Sequence, residues 1–276
     1  MLVEGPPPGT SDERIWEALL RELQWLFRQM NRKLRKTFSA VFLLFELKTI
    51  ILCLRRKSIG GSNDIEMLLA HSLLAEPVLE ALRRGSTVRA TAARVTDTIA
   101  ATANDFRQLE SAYAEKGLKG FESRLTRLFL QHVLSKRLHP VIREFFVSFI
   151  DLRNIMLLYK QLRWEIKEGL VFVSGGSIEL ARLEQILAGE NMADLDALVT
   201  GVTGLKTPTM ASTEAAAETV LLSGMTRKLR KIARDNEGVG PILDYMWRIY
   251  IQARNLAVLY HGKDLGVETL ERELIR

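Results

Sequence analysis

Residues 151–159 read DLRNIMLLY and residues 252–260 read QARNLAVLY. A chain that writes nearly the same segment twice, about a hundred positions apart, is built from repeated units of small-domain size. A more divergent third copy completes the set. FELKTIILCLRRKSIG at 45–60 lines up with IDLRNIMLLYKQLRW at 150–164 and IQARNLAVLYHGKDLG at 251–266. In that register Glu46, Asp151 and Gln252 share one column, Lys48, Arg153 and Arg254 a second, and Thr49, Asn154 and Asn255 a third. Units one and three also share Lys57 and Lys263, each three residues before a glycine, Gly60 or Gly266. Units one and two share GGS and then an Ile-led helix.

The text around the repeats has helical period and lacks the short alternating runs of a sheet protein. SDERIWEALL offers Ser11 as an N-cap with acids in the first turn, and Ile15, Leu19, Leu23 and Leu26 follow at helical steps. A second helix is predicted over Phe38–Lys57, closing at Gly60–Gly61. Asn63 and Glu66 have capping-box spacing, with Ile65, Leu68, Leu69 and Leu73 forming the next apolar face. Between Gly85 and Asn104 the chain is rich in Ala and Thr, so helices there are expected to pack thinly or face solvent. Pro140 marks a helix start. VFVSGGSIELARLEQIL reads as an extended piece, a glycine pair and a helix capped by Ser177.

Asp151 and Asn154 are three apart, on one helix face. Around them stand Phe145, Phe146, Phe149, Ile150, Leu152, Ile155, Leu157 and Leu158, which cover every side and make this helix central in its bundle. A carboxylate there must be paired or accept hydrogen bonds, because a bare one is costly to bury. The neighbouring Asn can satisfy a helix end or a connecting loop. The acid–Arg–Asn cluster is therefore read as a pin that fixes each unit in one packing, and not as a catalytic acid. The expected fold class is all-α, with three related helical bundles in a pseudo-threefold or curved array. Residues 12–60 and 205–276 carry units one and three, candidates for neighbours in space, and 61–204 forms a central region containing unit two.

Composition sets limits on function. Over 276 residues, 47 % apolar content allows a sizeable core. The single cysteine, Cys53, lies in an apolar run and reads as a packing residue in a reducing compartment. The net charge of +6 comes from scattered residues such as Arg28, Arg32 and Arg35, without a zinc knuckle, basic arm or aromatic-interleaved strands, so nucleic acid is not an expected partner. GSNDIE, SGGSIE and HGKD all fail the phosphate-loop pattern. His71, His132, His139 and His261 lack zinc spacing, and no GxSxG occurs. No cofactor, metal or small-molecule substrate is expected. Trp16, Trp25, Trp164 and Trp247 sit in helical text, where packing is the first reading and an interface anchor the second. Residues 1–11 read as a loose proline-bearing leader without a signal core. No stretch is expected to supply the ~20 apolar residues of a membrane span. The nearest, Phe38 to Leu54, is crossed by Glu46 and Lys48, so a soluble, cytoplasmic chain is expected.

The three helices and their glycine-bearing ends resemble the C-subunit family of archaeal and bacterial V/A-type ATPases, whose eukaryotic counterpart is the d subunit. IDLRNIMLLYKQLR is the clearest match, ARNLAVLYHGKDLG fits the third domain's ending, and FELKTIILCLRRKSIG fits the first. FESRLTRLFLQHVL and SGGSIELARLEQIL resemble two further helices of that family. The resemblance implies three helical domains in a funnel, seated on the cytoplasmic face of the membrane rotor ring and receiving the central shaft, made of the D and F subunits. It implies a non-catalytic adaptor that passes torque for ATP-linked proton or sodium transport. Lys48, Arg153 and Arg254 then mark equivalent places in the three domains. The alternatives are a free-standing helical scaffold that binds another protein, and an all-helical enzyme, which would need acid-rich metal-binding runs.

Overall fold

A computed structural model describes residues 11–60, 63–164, 171–205, 214–262 and 266–275; nearly all of the leader, Gly61 and Lys263 lie outside them. The helices in order are α1 (Ser11–Gln29), α2 (Arg32–Ser58), α3 (Asn63–Leu69), α4 (Glu76–Arg84), α5 (Val88–Ala100), α6 (Gln108–Leu134), α7 (Pro140–Trp164), α8 (Leu180–Ala188), α9 (Met192–Thr203), α10 (Glu214–Asp235), α11 (Val239–His261) and α12 (Val267–Glu273). A single 3-10 turn, Asn104–Arg107, precedes α6. No strand occurs among the described residues, and the protein is all-α. The chain forms two compact units, 1–133 and 134–276. The repeat helix of unit one is α2, in the first; those of units two and three are α7 and α11, in the second.

In the first compact unit, α1 buries Trp16, Leu19, Leu20 and Leu23. Ile15 and Leu26 are only half-buried, so the apolar face is rotated from the predicted stripe toward Trp16 and Leu20. Helix α2 begins at Arg32 and not at Phe38, because the Asn31 side chain accepts the Leu34 N–H at 2.9 Å and starts the helix early. At 27 residues it is long and apolar enough, by length and composition, to cross a membrane, contrary to the expectation from its charged pair. Yet 56 % of its most apolar window is buried within the chain, Glu46 included.

The Ala/Thr-rich stretch also departs from expectation. Helix α5 does not face solvent along its length: Thr91, Ala92, Val95 and Thr96 are buried. Small side chains let backbone approach closely here, and a Cβ at Gly85 would stand 1.9 Å from Thr91 Oγ1. Composition poor in bulk gave tight packing instead of thin packing. Helix α6 is broken at Gly117, whose φ of 59° continues no helix.

In the second compact unit, α7 runs through the core. Ile155, Leu158 and Tyr159 pack with Leu183 and Ile186 of α8, Leu195 and Val199 of α9, and Ala217 and Leu221 of α10. Helices α10 and α11 fold back on each other through Gly238 at φ 85°. Their close crossing excludes a side chain at Gly240, where a Cβ would meet Ile232 O at 2.7 Å. Each compact unit carries a buried indole on a threonine: Trp16 Nε1 donates to Thr49 Oγ1 at 3.1 Å and Trp247 Nε1 to Thr226 Oγ1 at 2.9 Å. Trp25 and Trp164 are instead about half exposed.

Candidate functional site

Glu46 on α2 is 1 % exposed and reaches the loop between α3 and α4. There Ser72 Oγ donates to Oε2 at 2.8 Å and the Leu73 N–H donates to Oε1. Asp151 on α7 does the same work. Ser177 Oγ donates to its Oδ2 at 2.6 Å, the Ser177 N–H to the same oxygen at 3.1 Å, and the Ile178 N–H to Oδ1 at 3.1 Å. In both cases the serine lies 26 residues after the acid and the next amide 27 residues after it. Each carboxylate therefore clasps the chain that leaves its own helix and returns. The buried charge is met by donors aimed at it, which is what makes such burial tolerable.

The third column makes a second kind of clasp. Asn154 is 0 % exposed; its Nδ2 donates to Val173 O and its Oδ1 accepts the Val173 N–H, both at 2.8 Å. Asn255 on α11 repeats the arrangement, donating to Ile275 O at 2.8 Å and accepting the Ile275 N–H at 3.1 Å. A primary amide presents one donor and one acceptor side by side, so it satisfies an extended residue much as a neighbouring strand would. The extended residues lie 19 and 20 positions beyond their asparagines. In α2 this column holds Thr49, whose hydroxyl serves Trp16 and Glu46. In α11 the acid column holds Gln252, which is exposed.

The glycine pair of unit two is explained by this geometry. A Cβ at Gly176 would stand 2.2 Å from Asp151 Oδ1, and Gly175 adopts φ 97°. Ser177 is used here and not as a helix cap: the cap of α8 is Glu179, which makes no side-chain cap bond. In unit one Glu46 takes Ser72, ten residues beyond the end of that unit's GGS, whose Gly61 and Ser62 lie outside the described residues. The sequence reading missed Ser72, Ser177, Val173 and Ile275 as clasp partners. The constant spacing from acid to serine was the signal that could have found the first two.

The basic column behaves differently in each copy. The Lys48 ammonium lies 4.4 Å from the Trp16 ring centroid. Arg254 donates to Glu273 O at 2.9 Å, to Glu218 Oε2 at 3.2 Å and to Thr219 Oγ1 at 3.4 Å, tying α11 to α10 and α12. Arg153 is half-buried, and burial pulls its guanidinium below the ordinary value. Lys57 donates to the carbonyls of Arg83 and Gly85, which joins the ends of α2 and α4; burial lowers its ammonium. The matched glycines also differ: Gly60 has φ 79°, whereas Gly266 is the extended cap of α12.

Burial sets the remaining chemistry. It pushes Glu46 above the usual carboxylate range, against the pull of hydrogen bonds from Leu73, Ser72 and Thr49. It pushes the Cys53 thiol up to about 12, and that side chain is 0 % exposed. A cleft of about 320 Å³ beside α11 is lined by Glu218, Arg254, Ala257, Val258, His261, Gly262 and Glu273. Arg254 spends its donors on Glu218 and Glu273 there. Among the described residues no group of His, Cys, Asp and Glu is placed to hold a metal ion.

Two comparisons with known proteins accord with this architecture. The family model described as ATP synthase (C/AC39) subunit matches residues 3–273. The C subunit of the V-type ATP synthase of Deinococcus radiodurans is 30 % identical over 173 residues, which cover 61 % of this chain and 47 % of that protein. The chain thus spans about half the length of the curated relative it matches.

Proposed function

Because the chain belongs to the ATP synthase (C/AC39) subunit family, we propose that it is the non-catalytic central-stalk adaptor of a rotary V/A-type ATPase. In this reading it sits peripherally on the cytoplasmic face of the membrane, between the rotor ring and the shaft made of the D and F subunits. It passes torque between them for ATP-linked proton or sodium transport. Its three related helical units form a pseudo-threefold funnel that receives the shaft, with units one and three side by side. Glu46, Asp151, Asn154 and Asn255 are the pins that hold each unit in one packing. The family match over nearly the whole chain carries the proposal.

The clasps support the mechanical part. An element that transmits torque must resist shear, and a helix tied to the chain that returns past it has fewer soft modes than one joined by free loops. Polar ties of this kind also specify one register, because a slipped arrangement leaves the buried acid or amide unmatched. The test is assembly. Co-expression with ring and shaft subunits should yield a complex containing this chain, and membranes lacking it should hydrolyse ATP without moving ions. A chain that stays monomeric with all partners present would overturn the proposal.

A further inference from the structure

We propose that the elbow between α1 and α2 is a docking surface for anionic lipid headgroups at a bilayer surface. From Arg21 to Lys36 the sequence carries six basic residues and one acid, Glu22. One of the six is structural. Arg35 Nε donates to Phe27 O at 3.0 Å, its Nη2 donates to Arg28 O at 3.1 Å, and its guanidinium lies 4.8 Å from the Phe27 ring centroid. With Phe27 packed edge-on to Phe42 and Met30 buried, this fixes the elbow. The other five, Arg21, Arg28, Arg32, Lys33 and Lys36, are exposed, and among the described residues none is held in an ion pair.

Two observations select a lipid surface over an acidic protein. Trp25 is 54 % exposed and lies between Arg21 and Arg28 on one face of α1, at four- and three-residue steps. An indole flanked by cations is the composition of interfacial anchors, where the ring enters the headgroup layer and the cations meet phosphates. Second, the first turn of α2 holds no acid and opens with Arg32 and Lys33. Cations at that end oppose the helix dipole, so helix stability does not account for them, whereas an anionic surface does. A second exposed basic face, Arg227, Arg230 and Arg234 on α10, has no exposed aromatic within it and ends at Asp235 and Glu237.

The inference stands apart from the torque reading, because it needs only the full chain and vesicles. Flotation with equal-part phosphatidylcholine–phosphatidylglycerol vesicles should recover the protein at low salt, and pure phosphatidylcholine should not. Each cation lost near such a surface weakens binding about five-fold, so the pair Arg32→Gln, Lys36→Gln should weaken it about 25-fold. The same charge loss at Arg227 and Arg230 should leave binding within about two-fold. Vesicles should shift the tryptophan emission to the blue, a shift abolished by Trp25→Phe and retained in Trp164→Phe. Circular dichroism of each variant checks that the helices remain. Binding indifferent to anionic lipid, or equally weakened by the α10 pair, would overturn the assignment. So would an elbow pair that spares vesicle binding but weakens co-assembly with shaft or ring subunits, which would give the surface to an acidic protein.

Discussion

Replacing Asn154 by aspartate exchanges one nitrogen for an oxygen and tests the amide clasp with almost no change of shape. The ionised carboxylate keeps the bond from the Val173 N–H but sets an oxygen against the Val173 carbonyl, 2.8 Å away in the native pair. Leaving one buried backbone group unsatisfied costs about 1–3 kcal/mol. At a site 0 % exposed the unpaired charge adds to that, for a total of about 3–5 kcal/mol at neutral pH. The protonated carboxyl is different, because its O–H donates to Val173 O while its other oxygen accepts the N–H. The native state therefore holds the proton more tightly than the unfolded state, and the variant's folded pKa rises above the unfolded value. Stability is full below the unfolded value, about 3.9, and is lost as pH rises through the folded one, at up to about 1.4 kcal/mol per pH unit. Urea unfolding of wild type and variant, followed by far-UV circular dichroism from about pH 5 to pH 8, reads this directly. The gap between them should widen with pH. A gap flat in pH, or below about 0.5 kcal/mol at neutral pH, refutes the two-point bond. Asn255→Asp should show the same sign and a smaller size, because Asn255 is half-buried and solvent screens the charge.

Glu46 and Asp151 should differ in their tolerance of amide substitution. Glu46→Gln still accepts the Leu73 N–H and can donate to the Ser72 hydroxyl, so stability at pH 7 stays within about 1 kcal/mol of wild type. Because burial raises the Glu46 pKa in the folded state, its contribution is full below the unfolded value and falls as pH rises through the folded one. The Gln variant should flatten that part of the pH profile. Asp151→Asn must turn its nitrogen toward a backbone N–H on either side, and should cost about 2–4 kcal/mol in the same urea assay. Gly176→Ala should lower the melting temperature, since its Cβ meets Asp151 Oδ1 at 2.2 Å, by about 2–4 kcal/mol of stability. Gly201→Ala, with open space around its Cβ in α9, should raise it by about 0.5–1 kcal/mol. Cys53, with its thiol pushed up to about 12, should resist a thiol reagent until the protein is unfolded.

Period and repeat carried the helices into view because both are local. The a-to-d spacing of apolar residues survives any tertiary arrangement, and Pro140 starts α7 for a reason confined to its own ring. What spacing could not give was the far end of each contact. Val173 and Ile275 contribute only backbone to the clasps, so their side chains carry no trace of the job. Ser177 looked like a cap because serine before a helix usually is one, and the acid that claims it lies 26 residues upstream. The Ala/Thr-rich stretch misled in another way. Small residues lower hydrophobicity but also let backbones approach, and the close contact of Gly85 with Thr91 shows the second effect winning in α5.

The three aligned helices are tied by different residues. Helix α7 has both clasps, α2 keeps the acid, and α11 keeps the amide while Arg254 adds a bond to Glu273 O. In α7 both devices hold one short segment, Val173 to Ile178, and this predicts how their losses combine. With either clasp gone, the other still holds the segment down, and the orphaned groups stay buried at full cost. With both gone, the segment can swing out and its amides regain water. The double variant Asp151→Asn, Asn154→Asp should therefore lose less than the two single losses added together, by about 1–2 kcal/mol. Asp151→Asn combined with Glu46→Ala should add, because Glu46 answers to Ser72 and Leu73, a different loop. Strict additivity in the α7 pair would mean that the segment is held by its own packing, and the clasps would then be passengers on a fold fixed by Ile155, Leu158 and Leu183.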